Sequence, residues 1–271
     1  MLSSVTEILA AGHRVAAFNV ITLEYAQGIV AGAVATQAPV VLSVSHNAVR
    51  YHGSLAPIAA ACLALADAAS VPVGLHLDHC EDAGLIEHAI DLGFGSVMFD
   101  ASTLPFDENV ELTARVADLT RARGVWLEAE LGEIGGKDGA HAPGVRTDPA
   151  EAARFVASTG VDGLAVAVGT SHAMTSRTSQ PDTALIASLA AAVPVPLVLH
   201  GSSGVPDDAL AAAVAAGIRK INVGTQLSVD YSDALRSGLA NGTADPRAAL
   251  REARASIQAT VERLLRVITL S

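Results

Sequence analysis

Eight short, nearly continuous apolar segments alternate along the chain with longer segments rich in alanine and leucine. A strand that is apolar along its whole length is typical of a parallel sheet covered on both faces. We therefore predict strands at residues 15–20, 39–45, 71–79, 96–102, 125–132, 163–172, 195–203 and 218–225. The segments between them predict helices at residues 23–36, 55–69, 83–92, 110–123, 150–158, 184–192 and 207–216.

Strands and helices in this alternation predict an α/β fold, a single (β/α)₈ TIM barrel over residues 1–271. The length is suitable, since such barrels have about 250 residues. An open, doubly wound sheet is the competing fold, but no glycine fingerprint follows the first strand.

The chain is apolar and acidic. Hydrophobic residues make up 51% of it, which supplies a core and excludes a disordered chain. A net charge of -11 argues against binding to nucleic acid or to an anionic membrane surface. Cys62 and Cys80 are the only cysteines, too few for a disulfide framework, so we expect a cytoplasmic protein. The first 11 residues lack a signal-peptide pattern, and prolines interrupt the charge-free segment 183–206, so no membrane span is expected.

Polar side chains mark the carboxyl end of every predicted strand. In strand order they are Asn19, Ser45, Asp78 with His79, Asp100 with Ser102, Glu128 with Glu130, Thr170 to His172, His200 to Ser203, and Asn222 to Thr225. In barrels of this type the active site lies at this end. The coincidence is the strongest functional signal in the sequence.

Three of the nine histidines, His79, His172 and His200, end predicted strands after buried segments. Three neutral imidazoles that converge on one axis match a catalytic zinc site with an open position for substrate. Strand side chains alternate, so His76 should point away from His79 and is interpreted as a core residue or a support for the site. Asp78 should also face away from His79, unless a bulge at the strand end brings both into the site.

Asp100, Glu128 and Glu130 place three carboxylates on neighbouring strands, where burial is costly unless they meet cations. A salt-bridge network is one explanation. Few bases lie nearby on these strands, so metal coordination or proton transfer is favoured. Lys137 and Lys220 are the only lysines, and neither is expected at an inward strand position, which disfavours a Schiff-base mechanism.

Short turns of glycine and serine follow strands seven and eight, at residues 201–204 and 223–225. Exposed backbone amides at this place in a barrel often bind phosphate. The segment 132–149 after strand five is polar and rich in glycine. It is interpreted either as a surface loop or as a mobile lid that carries Glu133 and Asp138 towards the site.

Six motifs occur in one order over nearly the whole chain: AFNVITLEYAQGIV, LHLDHC, EAELGEIGG, GTSHAM, LVLHGSSGVPD and KINVGTQL. Together they resemble the class II, zinc-dependent ketose-bisphosphate aldolases, which include the fructose- and tagatose-bisphosphate enzymes. Only the tail after about residue 240 resembles them weakly.

The resemblance implies a role for each matching residue. His79, His172 and His200 would bind the zinc ion, and Asp78 would be the acid/base at the aldehyde oxygen. Asp138 would replace the lid glutamate that reprotonates the enediolate carbon. The remaining matches are Asp100 and Glu130 near a second position for a divalent or monovalent cation, Gly201, Ser203, Asn222, Gly224 and Thr225 at the phosphate of dihydroxyacetone phosphate, and Asn19 and Ser45 around the substrate entrance.

Five positions depart from the family pattern: Asp138 in the lid, Ala173 in place of the glycine after His172, and three positions in the phosphate sites. Ser176 stands where members often carry a lysine, with Arg177 next to it, and Ser228 stands where many have a basic residue for the distal phosphate. Gly224 replaces an aspartate often seen there, which favours the tagatose-type branch. These departures argue against a doubly phosphorylated substrate more than against the metal or the reaction.

We therefore expect a zinc-dependent aldolase that reversibly cleaves a ketose phosphate or bisphosphate to dihydroxyacetone phosphate and an aldehyde. One alternative is a metal-dependent barrel hydrolase that uses the same histidines and Asp78 to activate water. Another is a sugar-phosphate-binding protein that has lost turnover. The expected partner is a small-molecule sugar phosphate, and a homo-oligomer, a dimer or tetramer, is expected.

Overall fold

The computed structural model describes residues 1–132, 146–172, 174–240, 242 and 244–270. In this part of the chain, eight parallel strands form one closed barrel in chain order. They are β1 (Val15–Asn19), β2 (Val40–Ser45), β3 (Val73–Cys80), β4 (Ser96–Phe99), β5 (Trp126–Leu131), β6 (Gly163–Val166), β7 (Leu197–Leu199) and β8 (Ile218–Val223). Because β1 pairs with both β2 and β8, the sheet has no edge. This confirms the predicted barrel and excludes the open sheet.

Helices surround the barrel. They are α1 (Val5–Ala10), α2 (Leu23–Thr36), α3 (His46–His52), α4 (Ala56–Ala68), α5 (Ala83–Asp91), α6 (Phe106–Ala122), α7 (Pro149–Thr159), α8 (Thr183–Ala192), α9 (Asp207–Ala216), α10 (Thr225–Leu239) and α11 (Arg247–Thr269). A short 3₁₀ turn, Ser202–Gly204, follows β7. The predicted bounds of α2 and α9 are confirmed.

Strands β6 and β7 end earlier than predicted, at Val166 and Leu199. Gly169 (φ +104°) and Gly201 (φ +67°) adopt left-handed backbone conformations that a β-strand does not contain. His172 therefore lies on a loop beyond β6, and Ser202 and Ser203 lie on the 3₁₀ turn beyond β7.

Four helices were not predicted: α1, α3, α10 and α11. Two of them begin where the sequence was interpreted as a strand end, since α3 follows β2 directly and α10 starts at Thr225. The longest, α11, buries one face through Ala253, Ile257, Val261 and Leu264. That spacing of three to four residues is helical, so the sequence did contain the signal for α11.

An apolar cluster fills the barrel interior at the amino-terminal end of the strands. It contains Val5, Ile8, Val15, Ala17, Val41, Met98, Trp126, Ala165, Ala167 and Val198. Its members Val5 and Ile8 come from α1, which covers this end. Along β5, Trp126 belongs to this cluster, and the buried carboxylates Glu128 and Glu130 follow it towards the carboxyl end. The interior therefore combines this apolar cluster with a buried polar pair, His76 and Ser96, and carries carboxylates towards the carboxyl end.

Within the described residues, no single helix is long and apolar enough to span a membrane. The pair α3 and α4, bent by 116° where they meet, passes that test by combined length and composition only.

Two glycines allow α11 to pack closely against α2. A Cβ atom added at Gly32 would lie 2.7 Å from Val261 Cγ1, and one at Gly28 would lie 2.8 Å from Ile257 Cβ. Both distances are shorter than an ordinary carbon–carbon contact. The approach of these two helices therefore requires glycine at both positions.

We expect Gly32→Ala to lower the free energy of unfolding by up to about 2 kcal/mol. Overpacking costs about 1–3 kcal/mol, against a gain of roughly 1 kcal/mol in helix propensity. Urea unfolding followed by circular dichroism measures the change. Gly84→Ala in α5 is the matched control, since a Cβ there meets only Asp82 Oδ1 at 3.3 Å. Equal effects at the two positions would contradict the packing argument.

Candidate active site

A cleft of about 480 Å³ opens at the carboxyl end of the barrel. Its lining includes the predicted site residues Asn19, Ser45, Asp78, His79, His172, His200, Gly201, Ser203, Asn222, Gly224 and Thr225. Asp100 and Glu130 do not line the cleft but lie behind His79. Asp138 lies outside the described residues, as do Glu133 and Lys137. The structure thus places every described site residue in one region.

Three histidines face one another in this cleft. The ring centroids are 4.6 Å apart for His79 and His200, 5.1 Å for His79 and His172, and 5.7 Å for His172 and His200. One nitrogen from each ring lies within 4.8 Å of the other two. Three imidazole nitrogens at this separation fit a zinc ion, which takes nitrogen ligands at about 2.0–2.1 Å and leaves a fourth position for substrate.

Hydrogen bonds on the outer side of two rings determine which nitrogens face inwards. His79 Nδ1 lies 2.7 Å from Asp100 Oδ2, and His200 Nε2 lies 2.7 Å from Glu128 Oε1. A carboxylate only accepts, so these outer nitrogens carry the protons. The inner pair, His79 Nε2 and His200 Nδ1, then present lone pairs at 3.0 Å. A cation beside them relieves that repulsion, which supports a metal site at this point.

The backbone of His79 explains how two adjacent residues both reach the cleft. His79 adopts a left-handed conformation (φ 47°), and the pairing of β3 with β4 shifts register between Leu77 and Cys80. A left-handed non-glycine residue costs on the order of 1–3 kcal/mol, and such strain is concentrated at functional sites. The irregularity that the sequence required for Asp78 and His79 to share a site is therefore confirmed.

A second group of ligand atoms lies on the other side of His79. His79, Asp100 and Glu130 each have one ligand atom within 4.8 Å of the other two. Asp100 Oδ1 accepts hydrogen bonds from the amide and hydroxyl of Ser102. His79 therefore stands between the three-histidine group, which Nε2 faces, and the Asp100 and Glu130 carboxylates, which Nδ1 faces.

Lys220 corrects two expectations from the sequence. It is fully buried inside the barrel, and its Nζ lies 2.8 Å from Glu128 Oε2. The expectation that Lys220 is not inward is wrong, and Glu128 belongs to the buried salt bridge that the sequence argument set aside. Asn222 lies two residues further along β8, so strand alternation places Lys220 on the same inward face. That signal was present in the sequence.

Asn222 connects Lys220 to Asp78. Lys220 Nζ donates to Asn222 Oδ1 at 2.6 Å, and Asn222 Nδ2 donates to Asp78 Oδ1 at 3.0 Å. Asp78 is 2% exposed at the floor of the cleft. One of its carboxylate oxygens is thereby held in place.

His76 lies in the barrel interior beneath Asp78. Its Nδ1 contacts Ser96 Oγ, and its Nε2 lies 3.9 Å from Asp78 Oδ1. Burial, followed by the positive charge of Lys220, holds the pKa of His76 well below its ordinary value. The ring is therefore neutral and serves as a support beneath the site, in line with the sequence interpretation.

The turns after β7 and β8 form a small concave surface at the rim of the cleft. A Cβ atom added at Gly201 would lie 2.7 Å from the Ser171 backbone, and one at Gly224 would lie 3.0 Å from Asn19 Nδ2. Ser203 Oγ accepts a hydrogen bond from the Gln226 amide in the first turn of α10. Glycine at these positions lets the two turns pack against Ser171 and Asn19, and the backbone amides in the first turn of α10 favour an anion such as phosphate.

The sequence profile of class-II fructose-bisphosphate aldolases matches residues 2–271. The chain belongs to this family.

Curated and structural relatives agree with the assignment. The chain is 38% identical over 259 residues to a 6-phospho-5-dehydro-2-deoxy-D-gluconate aldolase of Shouchella clausii, covering 94% of this chain and 88% of that one. It is also 38% identical over 267 residues to a fructose-bisphosphate aldolase of Geobacillus stearothermophilus, covering 96% and 93%. The crystal structure of the YdjI aldolase of Escherichia coli K12 superimposes with a TM-score of 0.86 at 32% identity, covering 99% and 97%. The chain is therefore an aldolase, a carbon–carbon lyase.

The sequence analysis did not predict the residues on the α3 side of the aldolase cleft. Ile21, Asn47, Ala48 and Tyr51 line it. Ser45, which was predicted at the entrance, is the N-cap of α3, and its Oγ accepts from the Ala48 amide at 3.1 Å. Because α3 was not predicted, nothing in the sequence argument pointed to these side chains.

The departures from the family pattern have structural counterparts. Ser228 lines the cleft. Arg177, next to Ser176, donates to the Val205 carbonyl and to Asp207. The Arg177 guanidinium group therefore links the loop after β6 to the start of α9.

Both cysteines are free and buried. Burial raises the pKa of Cys62 to about 12 and that of Cys80, next to His79, to about 11. A pKa of about 11 leaves roughly one thiol in a thousand ionised at pH 8. Neither thiol is therefore a nucleophile at neutral pH.

We expect iodoacetamide at pH 8 to leave both cysteines unmodified in the native protein for hours, and to alkylate both within minutes in 6 M urea. Mass spectrometry counts the adducts. The free amino acid in the same tube controls for reagent activity. Rapid modification of native Cys80 would contradict its burial and its raised pKa.

Proposed function

We propose that this chain is a zinc-dependent aldolase that reversibly cleaves a ketose phosphate to dihydroxyacetone phosphate and an aldehyde. The observation that carries the proposal is the convergence of His79, His172 and His200 beside the Asp78 carboxylate.

Residues from β3 and from the segments after β6 and β7 would hold the metal. His79, His172 and His200 fit zinc by number, donor type and spacing. When bound, zinc supplies Lewis-acid stabilisation of the negative charge that develops on the ketose oxygens during carbon–carbon cleavage. A second divalent or monovalent cation is proposed near Asp100 and Glu130, whose carboxylates favour hard cations.

The cradle orients the substrate. Amides and hydroxyls of Gly201, Ser203, Gly224 and Thr225 would bind the phosphate of dihydroxyacetone phosphate, which places the next carbons of the ketose over the histidines. Asn19 lies against Gly224 and completes this side of the cleft. Holding the phosphate at a fixed point converts part of its binding energy into orientation at the reacting bond.

Asp78 would exchange the proton at the aldehyde oxygen. Asn222 holds its Oδ1, so its second oxygen gives the proton in condensation and accepts it in cleavage. The register of β2 against β3 places Ser45 beside Asp78, so the aldehyde extends from Asp78 towards α3. Asp138, outside the described residues, is proposed to move the proton at the carbon of dihydroxyacetone phosphate.

The aldehyde end of the cleft favours a substrate with a single phosphate. Ile21, Asn47 and Tyr51 give it uncharged side chains, and Ser228 gives it a hydroxyl. Among the described lining residues, none is a lysine or an arginine. The relatives differ on this point, since one is named for a 6-phospho acid and the other for a bisphosphate.

The cytoplasmic setting and the homo-oligomer stay predictions of the sequence.

We expect the zinc-loaded protein to cleave ketose 1-phosphates with a higher kcat/KM than fructose or tagatose bisphosphate. Release of dihydroxyacetone phosphate is followed with a coupled dehydrogenase. Chelation, or His200→Ala, should abolish cleavage, because two imidazoles no longer hold the metal firmly. Added zinc should restore the chelated protein but not the variant.

The controls separate this function from its alternatives. Circular dichroism verifies that His200→Ala remains folded. Full activity after chelation would contradict the zinc mechanism. Release of inorganic phosphate or another hydrolysis product instead of an aldehyde would favour the hydrolase, and ligand-induced stabilisation without cleavage would favour the binding protein.

We expect Asp138→Ala to slow hydrogen exchange between solvent and dihydroxyacetone phosphate by about 10²-fold, the usual contribution of a positioned acid or base. Nuclear magnetic resonance in deuterium oxide measures the exchange. Asp138→Glu, which restores the residue common in the family, should exchange at least as fast as the unsubstituted chain. An unchanged rate in Asp138→Ala would remove Asp138 from this role.

A further inference from the structure

The one lysine in the described part of the chain is buried in the barrel beneath the site, and the proposed function leaves it without a role. Lys220 is 0% exposed. Its Nζ contacts Glu128 Oε2 and Asn222 Oδ1, and it lies 5.9 Å from the centre of the Trp126 ring. A buried ammonium group is costly, and replacing a buried ion pair with apolar residues is often neutral or stabilising. Its presence therefore calls for an explanation other than stability.

One arm of the contacts leads from Lys220 to a proposed zinc ligand. The ammonium group donates to Glu128 Oε2 at 2.8 Å and thereby orients that carboxylate. The other oxygen, Glu128 Oε1, accepts from His200 Nε2 at 2.7 Å. Since Nε2 carries the proton, the lone pair of His200 is on Nδ1, the nitrogen that faces His79 at 3.0 Å. The hydrogen bond to Glu128 thus determines that Nδ1 is the nitrogen of His200 that can bind the metal.

The other arm leads from Lys220 to the proposed acid/base. An ammonium group only donates, so Asn222 must turn its oxygen towards Lys220. The amide nitrogen of Asn222 then faces Asp78 Oδ1 and donates to it at 3.0 Å. A reversed amide would place oxygen against carboxylate, which is repulsive. The orientation of Asp78 thus also follows from the position of Lys220.

We propose that Lys220 is a positioning residue that fixes the ligating nitrogen of His200 through Glu128 and the carboxylate of Asp78 through Asn222. This role for Lys220 rests on the proposed function, because the metal and the reaction are those proposed above. Lys220 touches neither the substrate nor the metal position, and it forms no covalent bond in this role. The buried ammonium group thereby orients both a proposed metal ligand, His200, and the proposed acid/base, Asp78.

Glu128→Gln tests the first arm because an amide has one oxygen and one NH₂ group. Lys220 can be satisfied only by the oxygen, so the NH₂ group turns towards His200 Nε2. That nitrogen must then accept, and the ring proton moves to Nδ1, the ligating side. We expect the zinc dissociation constant to rise about 10- to 100-fold, the usual effect of losing a partner of a metal ligand.

Adding Lys220→Met to Glu128→Gln should reverse that defect. With no ammonium group to satisfy, the side-chain amide at position 128 turns its oxygen back to His200 Nε2 and restores the original ring tautomer. We expect the zinc dissociation constant to return to within about threefold of the unsubstituted chain. A variant with two substitutions would then bind zinc better than one of its parents, which a purely structural role for Lys220 does not predict.

Two measurements that do not depend on activity decide the first arm. Competition with a chromophoric chelator gives the zinc affinity, and ¹⁵N-¹H correlation spectra of the histidine rings in the metal-free protein give the His200 tautomer. The expected result is an Nδ1–H ring in Glu128→Gln and an Nε2–H ring in the unsubstituted chain and the double variant. The same tautomer in all three proteins, or equal zinc affinity of Glu128→Gln and the double variant, would overturn the proposal. Lys220→Met alone leaves Glu128 as an unpaired buried anion, so the test does not use it.

The second arm is decided in the zinc-loaded double variant, where Asn222 has lost Lys220. We expect kcat to stay at least about tenfold below that of the unsubstituted chain, with KM nearly unchanged, because Asp78 acts on the proton and not on binding. A kcat equal to that of the unsubstituted chain would overturn this arm. If the unsubstituted chain cleaves no ketose phosphate, the proposed function fails, whereas the tautomer, the zinc affinity and the side-chain amide resonances of Asn222 still test Lys220.

Discussion

The pairing of β1 with β8 closes the sheet, and the site depends on that closure. It places Ala17 beside Asn222 in the register and turns eight strand ends into one ring. Across this ring, Asn222 reaches Asp78, 144 positions away, and Lys220 reaches Glu128, 92 positions away. An open sheet would leave β8 at an edge, and neither contact would form. Each functional residue can therefore come from a different strand while all of them face one small volume.

The closed interior also explains how an acidic chain can bind an anion. The amino-terminal end of the barrel is filled by apolar side chains around Trp126, and charged groups follow only towards the carboxyl end. There the single described lysine neutralises Glu128 instead of facing the cleft. In the proposed function, the phosphate is bound by backbone amides next to Gly201 and Gly224, whose dipoles take the place of charged side chains. A net charge that argues against binding to extended polyanions is therefore compatible with binding one sugar phosphate.

Much of the barrel was predictable because each strand is a separate apolar segment with its own polar end. The residues at those ends, from Asn19 to Thr225, could be assigned to one site from the sequence because parallel strands must end at the same face. The hydrophobic periodicity of the sequence carries no information on backbone conformation. The predicted strands β6 and β7 therefore extended beyond their observed ends and included Gly169 and Gly201. Periodicity also could not determine that His79 turns into the left-handed region, although the chemistry of Asp78 and His79 required some irregularity.

The features that were missed depend on register and packing between distant segments. Strand alternation from Asn222 would have placed Lys220 inside, but its ion pair with Glu128 requires the position of β8 relative to β5. Tyr51 and Asn47 reach the cleft only because a helix of seven residues follows β2 without a loop. The close packing of α11 against Gly28 and Gly32 is likewise a contact between the two ends of the chain.

The central claim is that three imidazoles, and no thiolate or carboxylate, form the principal metal site. X-ray absorption spectroscopy at the zinc edge on the protein loaded with one equivalent of zinc tests it most directly. The account predicts a first shell of nitrogen and oxygen at about 2.0–2.1 Å with the multiple-scattering pattern of roughly three imidazoles. A first shell containing sulfur, or one made only of carboxylate and water oxygens, would contradict it.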